Sequence, residues 1–310
     1  MSDTPSPDQK LSLFAAALAA SLCVLWGANT VAIKFSLSGL GPFTSAAVRF
    51  GISAVFLWAW AKISGQSLRP ARGQLRPLLI NSFLFTVQLS LVYVGFTMTS
   101  ASRGALLTNL QPFFLLFLAH FYLSGDPFTL LKLIGLILGF AGAACVLLDR
   151  PGISGHLMAG DLLLLLATFT WACSAAYTKH LVRSISSIQI VFYQLLFSTP
   201  LFALAAPLWD APMVARLDSG IVAAIVFQVV LTTAFAFVAW IRLLQIYGAV
   251  TLHSFVFLIP VSGVFLAGIV LDEPITAMIL LALGFITAGI LTVQFGHRRE
   301  MAAMRHRKSG

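Results

Sequence analysis

Ten apolar stretches, each close to the length that crosses a bilayer, fill nearly the whole of this sequence: residues 11–33, 42–61, 77–97, 101–124, 130–148, 161–178, 186–209, 220–241, 249–271 and 274–295. The hydrocarbon core is about 30 Å thick and a helix rises about 1.5 Å per residue, so a span takes about 20 residues. Lipid offers no hydrogen bonds, so each stretch must close its own backbone bonds, which makes it a helix. The fold expected is all-α integral membrane, with ten transmembrane helices. The divisions between stretches three and four, and between eight and nine, are the least marked, because the loops there are tight.

Charge agrees with this. Only 9% of residues are charged and 59% are hydrophobic, against about 25% charge in soluble domains. The net charge of +9 is not a nucleic-acid signal, because the cations sit beside apolar runs. Five of the 19 Lys and Arg follow Phe295, and four lie from Lys62 to Arg76. With the N-terminus inside, 14 cations fall on cytoplasmic segments and 5 on the outer side or outer half-spans. Positive charge concentrates on the cytoplasmic side of membrane proteins, so both termini are expected in the cytoplasm of a bacterial-type inner membrane. Cys23, Cys145 and Cys173 each lie inside an apolar run and read as packing residues. The first apolar run is too long for a signal-peptide core and is expected to be retained.

The chain repeats itself. The tract from Trp26 to Lys34 matches Trp171 to Lys179, with Trp and Lys at the same spacing. Leu110-Gln111-Pro112-Phe113 matches Leu258-Ile259-Pro260-Val261, and Asp126-Pro127-Phe128-Thr129 matches Glu273-Pro274-Ile275-Thr276. Gly135 and Gly139 stand where Gly284 and Ala288 stand in the second copy. All four matches fall in one order. Five spans is an odd number, so the second copy must lie inverted, an architecture suited to alternating access at a site between the halves. The expected organisation is a tail (1–10), a first repeat (11–148), a connecting loop (149–160), a second repeat (161–295) and a basic tail (296–310).

These residues resemble the EamA-type transporters of the drug/metabolite transporter superfamily. The resemblance rests on the Leu25 to Asn29 tract running on to Lys34, Pro42-Phe43 followed by Arg49-Phe50, Thr99-Ser100-Ala101, Pro112, and the turn from Leu271 to Pro274. It implies ten helices, cytoplasmic termini, and export or exchange of small polar or amphipathic metabolites, often amino acids. The first-half turn Ser124-Gly125-Asp126-Pro127 departs from the family's Gly-Glu pattern, which Glu273 keeps in the second half.

Polar and aromatic residues within spans are the candidates for function. Expected in a central cavity are Trp26, Asn29, Gln88, Asn109, Trp171, Ser174, Gln228, His253 and Phe257. Trp offers a flat apolar wall and one donor. Gln228, Thr232 and Phe235 share one helix face, as do His253, Phe257 and Pro260. Expected in gating or structure are Lys34, Arg49, Pro112, Lys179 and Pro260. Each lysine is an interfacial anchor or a latch on helix C-terminal carbonyls. Arg49 either pairs with backbone carbonyls or snorkels, or else holds a substrate carboxylate. Matched Pro112 and Pro260 free a carbonyl each and are expected to kink their spans around the cavity. Small residues at 135, 139, 284 and 288 are expected to pack spans five and ten together.

No catalytic motif, nucleotide loop, metal-ligand pattern or cofactor motif is seen, so no enzyme activity, metal or cofactor is expected. The expected partners are a small-molecule substrate and the lipid bilayer, with no nucleic acid, and the chain as monomer or homodimer. The function expected is secondary transport by alternating access, exporting metabolites such as amino acids. A drug or nucleoside-type exporter is the alternative within the class, and a passive pore the alternative outside it.

Overall fold

A computed structural model describes residues 11–122, 129–149, 155–182, 184–247, 252 and 255–309. Among them the structure is helical throughout, with one isolated antiparallel bridge between Leu40 and Val214. The helices are α1 (Leu13–Ser36), α2 (Pro42–Ile63), α3 (Leu75–Met98), α4 (Ala101–Thr108), α5 (Gln111–Tyr122), α6 (Leu130–Leu148) and α7 (Gly155–Leu181). There follow α8 (Ser187–Trp209), α9 (Ser219–Val226), a π-helical segment (Phe227–Phe235), α10 (Ala236–Tyr247), α11 (Leu258–Leu271) and α12 (Ala277–Ser309). Seven of these, α1, α2, α3, α6, α7, α8 and α12, contain windows long and apolar enough to cross a membrane unaided. The three remaining spans are built of shorter pieces: α4 and α5 with a break between them, α9 running on through the π segment into α10, and α11 in the ninth.

The helix starts follow local chemistry. Ser12, Ser100 and Asp218 each accept a hydrogen bond from the backbone N–H three residues on, and Ser186 forms a capping box with Gln189. Such caps satisfy donors that a helix leaves open. Pro42 opens α2, where its missing N–H costs nothing.

Pro112 does more than bend its span. Lacking an N–H, it cannot bond the Thr108 carbonyl, and the helix stops at Thr108 and restarts at Gln111. Asn109 closes the first piece by donating Nδ2 to Ala105 O at 2.7 Å. Pro260 sits in the first turn of α11, where its missing N–H breaks no bond within that helix. Two further expectations on extent are corrected. The sixth span starts at Gly155, inside the expected connecting loop, and the last helix runs through the expected basic tail to Ser309. The tail is rich in Arg, Ala and Met, all good helix formers.

Packing repeats with the sequence. α1 lies on α11 as α7 lies on α4 and α5. α7 lies on α3 as α1 lies on α9, the π segment and α10. Three pairs meet across the axis of exchange: α2 with α8, α6 with α12, and α4 with α11. The direction is visible at Thr99. Lys34, near the end of α1, donates Nζ to Thr99 O at 2.7 Å, and Thr99 Oγ1 donates to Asp161, near the start of α7, at 2.6 Å. The first helix of one repeat therefore ends where its counterpart begins, so the two run in opposite directions.

Two close approaches set the frame. At Gly27 a Cβ would lie 2.6 Å from Ile259 O and 2.8 Å from Gly263 N, so α1 and α11 touch backbone to backbone. At Gly289 a Cβ would lie 2.9 Å from Gly135 O and 3.1 Å from Gly139 N, which seats α12 on α6. Gly284, expected at this contact, has nothing within 4 Å of where its Cβ would be. The buried face of α12 carries Ile279, Ala282, Ile286 and Ile290, and Gly284 is turned away from it.

Candidate functional site

Polar groups meet where α1, α2, α3 and the π segment converge. Gln228 is fully buried and donates Nε2 to Ala32 O at 3.1 Å and to Ser36 Oγ at 3.4 Å. Its Oε1 accepts from Arg49 Nη1 at 3.3 Å, and the same nitrogen reaches Tyr93 Oη at 3.5 Å. Trp26 Nε1 donates to Thr232 O at 3.4 Å, and the Trp26 ring meets Trp240 edge to face with centroids 5.1 Å apart. Thr232 Oγ1 lies 3.2 Å from Asn29 Oδ1 and 2.7 Å from Gln228 O. The π segment makes this possible, since Thr233 Oγ1 also reaches back to Gln228 O, five residues away, at 2.9 Å. π-helical turns concentrate at functional sites.

Arg49 does not snorkel. It is 9% exposed, its charge faces two neutral side chains and the Phe50 ring, 5.1 Å away, and its buried Nε has no hydrogen-bond partner. Neither a carbonyl pairing nor the surface explains it. It ties α2 of the first repeat to Gln228 of the second.

A matching cluster joins α3 to α7. Asn81 Oδ1 accepts from Ser174 Oγ and Thr178 Oγ1, both at 3.2 Å, while the buried Asn81 Nδ2 has no partner. Asn81 and Gln228 stand 147 residues apart, and Asn29 and Ser174 stand 145 apart, within the spread of 145 to 149 residues that the repeat matches span. The two polar contacts are thus repeats of each other. Gln88, two turns on from Asn81 and on the same face of α3, is buried. Trp171 shares its face of α7 with Leu164, Thr168 and Ser174, which are all buried, yet it is 43% exposed. Ser174 is bound to α3, and Thr168 Oγ1 lies 3.2 Å from Leu107 O of α4. Asn109 is half-buried at the break before α5, and Phe257 is half-buried at the start of α11. His253 lies outside the described residues.

One end of the bundle, the Lys34 end, is bound shut by charge. Lys34 Nζ donates to Phe96 O at 2.6 Å as well as to Thr99 O, capturing the last carbonyls of α3. Arg103 on α4 grips Asp161 with Nε at 3.0 Å and with a close Nη2 contact, and reaches Asp149 with Nη1 at 3.3 Å. Arg103 Nη2 also donates to Val146 O at 2.6 Å. Glu273 accepts from Ala101 N at 2.6 Å and Ser102 N at 2.8 Å, so its carboxylate caps α4. Asp210 does the same for α2, accepting from Thr44 N at 2.7 Å. Arg103, Asp149, Asp161 and Asp210 are buried. Only the fold brings Asp149 and Asp161 to one guanidinium. At the opposite end Lys179 is exposed. There α5 packs extensively only on α6 and α7 among the described elements, whereas α4 also meets α1, α11 and α12.

The EamA-like transporter family matches residues 13–148 and again 158–295, one copy on each half of this inverted pair. The chain belongs to the EamA-like transporter family. Similar EamA-like chains include the uncharacterized transporter YvbV of Bacillus subtilis, 28% identical over 292 residues, covering 93% of this chain and 94% of that one. The probable amino-acid metabolite efflux pump of Escherichia coli is 27% identical over 296 residues, covering 92% and 96%. A solved crystal structure with 19% sequence identity shares the fold, with a TM-score of 0.67 over 93% of this chain and 99% of its own. As an EamA-like protein, the chain is a membrane transporter.

Proposed function

We propose that this protein exports small metabolites such as amino acids by alternating access, with a path between the two repeats lined by Trp26, Asn29, Gln88, Asn109, Trp171, Ser174, Gln228, His253 and Phe257. The orientation favoured by the cations puts both termini in the cytoplasm of an inner membrane and makes the Lys34 end the outer one. The conformation is then closed to the outside and open inward. One observation carries this reading: Lys34 and Lys179 occupy equivalent places in the repeats, yet Lys34 is locked on two carbonyls while Lys179 is exposed. Two equivalent latches in unlike states are what a carrier caught on one side of its cycle requires. In the opposite state Lys179 caps the end of α10, the counterpart of α3, and Lys34 lets go.

The efflux-pump relatives favour amino acids or their derivatives as cargo. Trp26 and Trp171 supply apolar walls, and the amides beside them supply polar contacts, which suits an amphipathic solute. Counterflow in proteoliposomes tests the proposal. Internal unlabelled amino acid should accelerate and transiently concentrate labelled amino acid entering; a passive pore gives no such overshoot, and that result would sink the carrier reading.

A further inference from the structure

The loop between α2 and α3 is pinned down at the end of the bundle opposite Lys34. Gln189 Nε2 donates to Arg69 O at 2.9 Å, and Gln74 Nε2 donates to Ser184 O at 2.7 Å, so the middle and the far end of the loop are tied to the segment that starts α8. Under it lies a cavity of about 520 Å³ bordered by Trp58, Lys62, Leu68, Arg69, Phe192 and Tyr193. No acidic residue lines it. From Lys62 to Arg76 the sequence holds four basic residues and no acid. The cavity therefore carries a positive potential that nothing beside it cancels.

Its position decides what it attracts. α2 ends at Ile63, so Lys62 sits at the membrane–water boundary, with Lys62 Nζ 6.0 Å from the centre of the Trp58 ring. Trp58 is 50% exposed and, with Leu68 and Phe192, gives the cavity an apolar wall that belongs against hydrocarbon. A cationic rim on an aromatic floor, open to the acyl-chain region, complements a molecule with an anionic head and apolar tails. A free phosphate would satisfy the rim and leave the wall unused.

We infer that this cavity binds the phosphodiester headgroup of an anionic phospholipid, with the acyl chains lying along α2 and α8. Lys62 and Arg69 hold the phosphate, and the hydrogen bonds from Gln189 and Gln74 fix the loop that carries Arg69. The inference does not rest on the transport reading, since it concerns a site on the outer flank of α2 and α8.

The test uses the full chain in detergent, with lipid binding followed by native mass spectrometry and by thermal shift. Phosphatidylglycerol should bind and raise the melting temperature, while phosphatidylcholine and inorganic phosphate should not. The double variant K62Q/R69Q should weaken phosphatidylglycerol binding by about tenfold or more. A control variant, R305Q/R307Q, should bind as wild type does. The inference is overturned if K62Q/R69Q keeps full binding, if the tail variant loses as much, or if phosphatidylcholine or phosphate alone gives the same shift. R69Q alone serves if the double variant folds poorly, because the loop is held by the Arg69 carbonyl and not by its side chain.

Discussion

Lys34 and Lys179 end equivalent tracts of the two repeats, and the ammonium of Lys34 lies 2.6 Å from Phe96 O and 2.7 Å from Thr99 O while Lys179 is exposed. A sequence duplication has thus produced two like residues in unlike surroundings. The difference can be moved by mutation.

Lys34→Gln should shift the protein toward opening at that end. Hydrogen bonds to charged groups contribute about 1.5–3 kcal/mol each, so losing two changes the ratio of states by roughly tenfold or more. Ala105 is fully buried between α4 and α11 there. With the three native cysteines replaced, a cysteine at 105 should react with an impermeant maleimide at least about tenfold faster in Lys34→Gln. An unchanged rate would show that Lys34 does not hold the end shut.

Arg103 and Asp161 should behave as a pair. Arg103→Gln strands the buried carboxylates of Asp149 and Asp161 and should cost about 3–5 kcal/mol, read as a large fall in melting temperature, while Asp161→Asn leaves Arg103 paired with Asp149 and should cost less. The double variant should lose less than the sum of the two. Strict additivity would mean that the geometry is not an energetic coupling.

Arg49→Gln should separate stability from function. The buried Arg49 guanidinium bonds only neutral groups among the described residues, Tyr93 and Gln228. An intramembrane charge is costly, so its removal should leave the melting temperature unchanged or raised, while transport falls by about tenfold, a loss of about 1.4 kcal/mol. A variant with normal transport would make Arg49 dispensable to the cycle.

Gly289→Leu and Gly284→Leu give a paired control. At 289 the new side chain meets Gly135 O and Gly139 N of α6, and overpacking of this kind costs about 1–3 kcal/mol. At 284 it meets open space. Thermal unfolding should distinguish them clearly; equal effects would refute the α6–α12 register.

The spans and the repeat were legible because both depend on local sequence. Length and apolarity define a crossing, and Trp26, Lys34, Pro112 and their partners mark the duplication. The cluster of Trp26, Asn29, Arg49 and Gln228 contains four residues picked out as intramembrane polar or aromatic groups. Other features were not legible. Matching the repeats by offset led to Gly284, but a helix face recurs every three or four residues, and the face in use passes through Ala282, Ile286 and Gly289. Arg103, Asp149 and Asp161 belong to three different spans, and their meeting is a product of tertiary packing alone. The break in the fourth span was half visible: Pro112 signalled a disturbance, but the two-residue gap at Asn109 and Leu110 depends on how Asn109 turns back to Ala105.

The π-helical segment from Phe227 to Phe235 has a mechanical corollary. In an α-helix one residue corresponds to a rotation of about 100°. A stretch wound more loosely than its flanks holds slack that can be taken up without breaking the rod. Rewinding it would screw α10 relative to α9, swinging Trp240 off Trp26 while Asp218 stays fixed at the other extremity. Span eight would then work as a torsion joint, turning a change in the grip on Gln228 into rotation of everything beyond it.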